Sequence, residues 1–267
     1  MTALAVTARD QEHAPLAIDE TLFFFAGADV ALFLDVDGTL LDLAATPDAV
    51  CVPADLIATL ARAERKLAGA LALVSGRTIE DLDRLFDPLR LRGSGVHGAQ
   101  MRLQPNRPAQ AVPAAVQLPP SLETTVRCAI RHFPALLVEN KGFSLAVHYR
   151  RNPQAAQWLR ETLQELILAT PSWGVELLDA HYAFELKRPS FNKGKSIALF
   201  LQEPPFHGRR PVFIGDDTTD EAGFAEVVAR GGQAYSIGER RPGAIGFFES
   251  PQMVRQWLTA FAPRERE

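Results

Sequence analysis

Cysteine is nearly missing from this chain: Cys51 and Cys128 are the only two in 267 residues. Two are too few for a disulfide framework and wrongly spaced for a zinc site, which fits a reducing cytoplasm. An excess of basic charge is missing as well. Lys and Arg number 28 against 32 Asp and Glu, a formal net charge of −4, so a nucleic-acid binder working through a bulk basic field is excluded. Long apolar runs are absent too. The greasiest stretch, Leu22 to Leu34, spans about 13 residues and is broken by Asp29, too short to cross a bilayer. Residues 1–15 lack the basic-then-apolar order of a secretory signal. Neither repeats nor low-complexity blocks occur. What is present is an ordinary globular composition, 47% hydrophobic and 22% charged, long enough for one large domain or two unequal ones.

The pattern along the chain divides it. Residues 1–20 read as a loose arm. Ala31 to Asp35 is a short, almost wholly apolar run, the mark of a strand covered on both faces. Pro53 to Lys66 carries Leu56, Leu60, Ala63 and Leu67 at helical spacing. A second buried strand, Ala70 to Val74, ends in Ser75-Gly76-Arg77, and Thr78 to Phe86 reads as a helix. This alternation predicts a parallel sheet flanked by helices. Residues 104–120 hold five prolines and read as a linker. Beyond them come a helix (Ser121 to Phe133), an apolar run (Leu136 to Val138), a turn and an alternating strand (Phe143 to Tyr149). A helix through Trp158, Leu159, Leu163 and Leu166 then precedes a hairpin, Val175–Leu178 and His181–Leu186. The α/β texture returns with a helix from Lys195 to Leu201, a strand from Pro211 to Gly215, a helix from Asp220 to Val228 and a strand from Ala234 to Ile237. The expected fold is therefore α/β: a Rossmann-like parallel-sheet core, split over 25–106 and 187–267, helices on both faces. An α+β cap is inserted at 107–186, and 1–24 form an N-terminal arm.

Four constellations could carry chemistry. Asp35-Val36-Asp37-Gly38-Thr39-Leu40 follows a buried strand and converges two carboxylates where such sheets place ligands. A solvated turn or a metal–nucleotide-sugar contact is the plain alternative. A calcium loop fails, because its sixth and twelfth positions hold Leu40 and Thr46 rather than Gly and Glu. Gly215-Asp216-Asp217-Thr218-Thr219-Asp220-Glu221 packs four acids into six positions. Each like-charge pair 4 Å apart costs about 4 kcal/mol at an effective dielectric near 20, a repulsion that a bound cation offsets. The helix dipole accounts for Asp220 and Glu221 but not for Asp216 at the strand end. Oxygen donors without His or Cys favour Mg²⁺. Ser75-Gly76-Arg77 suits a phosphate cradle, although a Ser there is ordinarily only an N-cap. Lys187, Arg188, Lys193 and Lys195 would by themselves read as a solvated basic loop. Gly93-Ser94-Gly95-Val96-His97-Gly98 fits the dinucleotide pattern but opens no helix, and Gly194-Lys195-Ser196 lacks the leading glycine of a P-loop. Taken together, the set supplies a nucleophile, an acid/base, a phosphate clamp and a metal site, the needs of a carboxylate attacking a phosphate dianion.

Asp35-Val36-Asp37-Gly38-Thr39-Leu40, Ser75-Gly76-Arg77, Asn192-Lys193-Gly194 and Gly215-Asp216-Asp217 with Asp220 resemble the four motifs of the haloacid dehalogenase superfamily. Gly95-Val96-His97-Gly98, the Val138–Arg150 segment with Glu139, Lys141 and His148, and Phe184-Glu185-Leu186-Lys187 are similar to patterns of trehalose-6-phosphate phosphatases. The resemblance spans about 30–240. It implies an Mg²⁺-dependent phosphatase that hydrolyses trehalose 6-phosphate in the last step of trehalose synthesis, through an aspartyl-phosphate. Asp35 would be the nucleophile and a metal ligand. Asp37 would be the acid/base, its carbonyl on the metal, and Asp216 would complete the metal site with support from Asp217. Ser75, Gly76, Arg77 and Lys193 would hold the phosphoryl group, with Lys187 and Lys195 competing for the role of Lys193. Glu139, Lys141 and Glu185 would bind sugar hydroxyls. His97 is placed among the substrate-binding residues as a structural or loop-positioning residue rather than an acid/base, and His148 on the open side of the cap sheet. A small-molecule substrate, no nucleic acid, no membrane and a monomer or weak dimer are expected. A phosphatase for another sugar or polyol phosphate, or a non-catalytic sugar-phosphate sensor, is the alternative.

Overall fold

The computed structural model describes residues 29–44 and 49–264. The arm expected at 1–24 and the start of the Leu22–Leu34 stretch lie outside the described residues. Twelve strands among the described residues form two sheets. The larger contains β1 (Val30–Leu34), β2 (Leu71–Val74), β3 (Arg92–Gly95), β4 (Gln100–Arg102), β5 (Gln110–Ala111), β10 (Arg210–Ile214), β11 (Gln233–Ile237) and β12 (Gly246–Phe248), in the order β12-β11-β10-β1-β2-β3-β4-β5. Pairing is parallel from β12 through β3, and antiparallel only at β4 and β5. Every residue of β1 is buried, as a strand with both faces covered requires. Helices α1 (Leu56–Lys66) and α7 (Pro251–Phe261) pack on each other, as do α5 (Lys193–Phe200) and α6 (Glu221–Ala229). The short α2 (Ile79–Leu85) starts at Thr78, whose hydroxyl caps it by accepting from Asp81 N.

The second sheet, β6-β7-β9-β8, is antiparallel throughout: β6 (Leu137–Asn140), β7 (Ser144–His148), β8 (Glu176–Ala180) and β9 (Ala183–Lys187). With α3 (Pro120–Ala129) and α4 (Ala156–Ala169) it gives the expected order of helix, two strands, helix, two strands. Alternation decides its faces. Val138, Leu145, Val147, Phe184 and Leu186 pack with Leu122, Val126, Leu159 and Leu163 of the helices into a core of their own. Glu139, Ala146, His148 and Glu185 take the opposite face and line a cavity beneath it. Truncating a fully buried leucine such as Leu159 would cost about 2–5 kcal/mol.

Several stretches depart from the sequence reading. The proline-rich segment is not wholly a linker, because Gln110–Ala111 pairs with β4 and carries the larger sheet past residue 106. Lys187 and Lys193 are buried rather than part of a solvated basic loop. Strands β3, β4, β5 and β12 and helix α7 had no counterpart in the pattern reading.

Candidate active site

Strand β1 lies between β10 and β2 and is connected forward to one side while β10 returns to the other, so the crevice at its carboxyl end is a topological switch point. The chemistry-bearing residues gather there. Asp35 follows β1, its N–H held by the Ile214 carbonyl at 2.9 Å. Ser75 follows β2 and is buried, its hydroxyl accepting from Arg77 N at 3.1 Å. Asp216 follows β10, and Lys193 is the first residue of α5, whose Asn192 side chain caps the helix by accepting from Lys195 N.

The centre is a buried charge cluster. Lys193 Nζ lies 2.7 Å from Asp35 Oδ1 and 2.6 Å from Asp220 Oδ1, all three residues being at most 3% exposed. Thr39 donates from Oγ1 to Asp35 Oδ2 at 3.0 Å, and its hydroxyl is 3.4 Å from Asp216 Oδ1. Asp35, Asp216 and Asp220 each offer a carboxylate oxygen within 4.8 Å of the others. Burial, followed by the charge of Asp35, pushes the Asp216 carboxyl well above the usual carboxylate range. Burial also raises Asp220, partly offset by Lys193. Lys193 is desolvated as well, yet Asp220 and Asp35 hold its ammonium above its ordinary value. Glycine makes the crowding possible. Gly38 has φ 80°, and a Cβ there would sit 2.1 Å from Asp216 Oδ2; a Cβ on Gly215 would sit 2.4 Å from Asp220 Cγ.

Asp37 stands beside the cluster rather than in it. Arg77 clasps its carboxylate through Nε at 2.6 Å and Nη2 at 2.7 Å. Above, the cap face contributes a second network. Glu185, 3% exposed, accepts from Ser144 Oγ, contacts His97 Nε2 at 2.8 Å and lies 3.4 Å from Lys141 Nζ. Lys141 also donates to the Gly76 carbonyl at 3.0 Å, and Glu139 contacts His148 Nε2 at 2.8 Å. Burial would raise Glu185, but His97 and Lys141 outweigh it and hold the carboxyl far below its usual range. Glu139 is lowered in the same manner, burial being outweighed by His148 and Lys141. Core and cap enclose a cavity of about 180 Å³, lined by Asp35, Asp37, Ser75, Arg77, Lys193 and Asp216 below and by Glu139, Lys141 and Glu185 above.

Apart from the two competing lysines, every residue to which the resemblance gave a site role thus lines one cavity, Asp217, His97, Gly76 and His148 included. Of the competing lysines, Lys195 is exposed and donates to the carbonyls of Pro189 and Ser190, while Lys187 is tied to Glu176 and to the carbonyls of Arg188 and Phe191. Neither lines the cavity. Two roles were missed. Asp220 is no mere complement to a helix dipole: Oδ1 braces Lys193, and Oδ2 accepts from Asp216 N and Asp217 N. Thr39, fully buried, bridges two of the acids. The Asp-Gly-Thr run held that signal. Asp217 caps the Thr218–Asp220 turn by accepting from Thr218 N.

The sequence profile of the family described as Trehalose-phosphatase matches residues 33–240. The chain belongs to the trehalose-phosphatase family. It is 40% identical over 235 residues to the "Probable trehalose-phosphate phosphatase" of Sinorhizobium fredii, covering 87% of each chain. It is 37% identical over 231 residues to the "Trehalose-6-phosphate phosphatase" of Escherichia coli, covering 86% of each. The C-terminal domain of the Candida albicans trehalose-6-phosphate phosphatase shares the fold at a TM-score of 0.81 with 19% identity, over 94% of this chain and 98% of that one. Within this trehalose-phosphatase chain, no helix among the described residues is long and apolar enough to cross a membrane.

Proposed function

We propose that the chain is an Mg²⁺-dependent phosphatase that hydrolyses trehalose 6-phosphate to trehalose and phosphate through a phosphoaspartate on Asp35. One observation carries this reading: a lysine-braced aspartate at the floor of a cavity whose roof presents two carboxylates and an ammonium from the cap. The matched relatives named as trehalose-phosphate phosphatases support the choice of substrate. An Asp35 oxygen attacks phosphorus, and the bond from phosphorus to the sugar oxygen breaks. Asp37 gives that oxygen a proton, then removes one from a water that attacks phosphorus, releasing phosphate and restoring Asp35. Lys193, Ser75 and the backbone at Gly76 and Arg77 hold the phosphoryl oxygens, and Glu139, Lys141 and Glu185 take sugar hydroxyls.

The donor chemistry fits a hard dication: three carboxylates and one ammonium, with Asp216 disfavoured as an anion by its neighbours. The resemblance implies Asp35, Asp216 and the main-chain carbonyl of Asp37 as the ligands, with Asp220 bracing Lys193 and the Asp216 and Asp217 N–H groups. What a bound Mg²⁺ would supply there is charge neutralisation of the phosphoryl oxygens that otherwise repel the attacking carboxylate. On this reading 25–106 and 187–267 are the catalytic body, its sheet reaching Ala111, and 107–186 the specificity cap. The free, exposed Cys51 and Cys128 suit a cytoplasmic setting. Phosphate release from a panel of sugar phosphates, with and without Mg²⁺, tests the proposal. Mg²⁺-dependent release strongly favouring trehalose 6-phosphate is expected; equal rates on glucose 6-phosphate would defeat the substrate assignment, and no release would leave a sensor.

A further inference from the structure

The Gly93–Gly98 stretch mimics a dinucleotide loop and has no part in the reaction described above. It nevertheless holds two consecutive non-glycine residues in the left-handed region, Val96 (φ 48°) and His97 (φ 54°). For a β-branched residue this conformation is unfavourable and persists only where the surroundings over-determine it. Here they do. Val96 N–H donates to the Arg77 carbonyl at 2.8 Å and His97 N–H to the Ser75 carbonyl at 3.0 Å, stitching the turn to the phosphate-holding loop.

The twist drives the imidazole over Gly76, where an added Cβ would lie 2.7 Å from the ring. It also sets Nε2 2.8 Å from Glu185 Oε2, with both residues at least nine-tenths buried. Nδ1 is buried and has no hydrogen-bond partner among the described residues, so the ring's hydrogen bonding there rests on Glu185. The other Glu185 oxygen is taken by Ser144 and Lys141, both in the cap. His97 is the core side chain that holds this cap carboxylate.

We propose that His97 is a positioning residue that fixes the cap carboxylate Glu185 against the Ser75–Arg77 loop, so that sugar reading is assembled only when the cap sits on the core. This rests on the proposed phosphatase reading and assigns His97 an action through Glu185 rather than on the substrate itself.

The test compares kcat and KM for wild type, His97→Ala, His97→Gln, Glu185→Gln and the double variant. Trehalose 6-phosphate is set against p-nitrophenyl phosphate, which offers no sugar to Glu185. His97→Ala is expected to lower the ratio of the two kcat/KM values by about ten- to a hundredfold, the worth of a charge-assisted hydrogen bond, chiefly through KM. His97→Gln, which keeps a donor, recovers part of the ratio, and the double variant loses no more of it than Glu185→Gln alone. Equal losses on both substrates, or losses that multiply in the double variant, would overturn the proposal. Should His97→Ala not fold, His97→Gln carries the comparison by itself, and an unselective loss there is equally damaging. A wild type inactive on trehalose 6-phosphate defeats the phosphatase reading instead, so the two failures are distinguishable.

Discussion

Glu185 is a carboxylate whose burial works against its charge, and His97, Lys141 and Ser144 outweigh that burial. The unfolded group titrates near 4.5 and the folded one lower, so its contribution to stability is full above 4.5 and is lost as pH falls below that value. Urea unfolding of wild type should therefore weaken more steeply below pH 4.5 than that of Glu185→Gln; parallel curves would contradict the account. The same local physics explains what the sequence could not decide at Lys187, Lys193 and Lys195. Three lysines within nine positions look alike as a string. Only the start of α5 aims one of them between Asp35 and Asp220, and such a contact spans 158 positions in the chain. The carboxylates were legible because they follow apolar strands. Asp220 was half-legible, since a helix start accounts for an acid without revealing its second partner.

Among the elements, α5 shows how a local signal serves a distant site. Asn192 accepts from Lys195 N at 2.8 Å and fixes the first turn, whose leading residue is Lys193. Asn192→Ala is expected to cost about 1 kcal/mol of stability by chemical denaturation and to lower kcat, whereas Asn192→Asp keeps the cap and most of the stability. No change in either quantity for Asn192→Ala would refute the role. Strands β1, β2 and β10 could be read from their apolar runs because both faces are covered. β3 could not: Arg-Gly-Ser-Gly carries no hydrophobic pattern, and its place is set by pairing with β2. β5 hides among prolines for the same reason. For α7 the signal was present but unused. Ser250 and Pro251 open a helix, and Val254, Trp257, Leu258 and Phe261 recur at helical spacing, all buried.

At the scale of the whole molecule, an eight-stranded sheet supplies the reacting groups at one end and a four-stranded sheet roofs them. The alternation of β7 forecast that Ala146 and His148 would turn away from the covered face, while Glu139, Lys141 and Glu185 were placed by the family resemblance. The joints between the two parts, Lys141 on Gly76, His97 on Glu185 and Thr218 Oγ1 3.4 Å from the Asp179 carbonyl, depend on how two folded units meet and leave no periodic trace. The proposed intermediate is covalent, and Asp37→Asn exposes it. Nitrophenolate departs without a proton from an acid, so this variant can still phosphorylate Asp35 from p-nitrophenyl phosphate, yet it lacks the base that activates water. Rapid mixing with Mg²⁺ should give a stoichiometric burst of nitrophenolate followed by a stall. Borohydride reduction of the quenched protein, read by peptide mass spectrometry, should then find the acyl phosphate at position 35. An unmodified Asp35 and no burst, while wild type releases phosphate under the same conditions, would contradict the account.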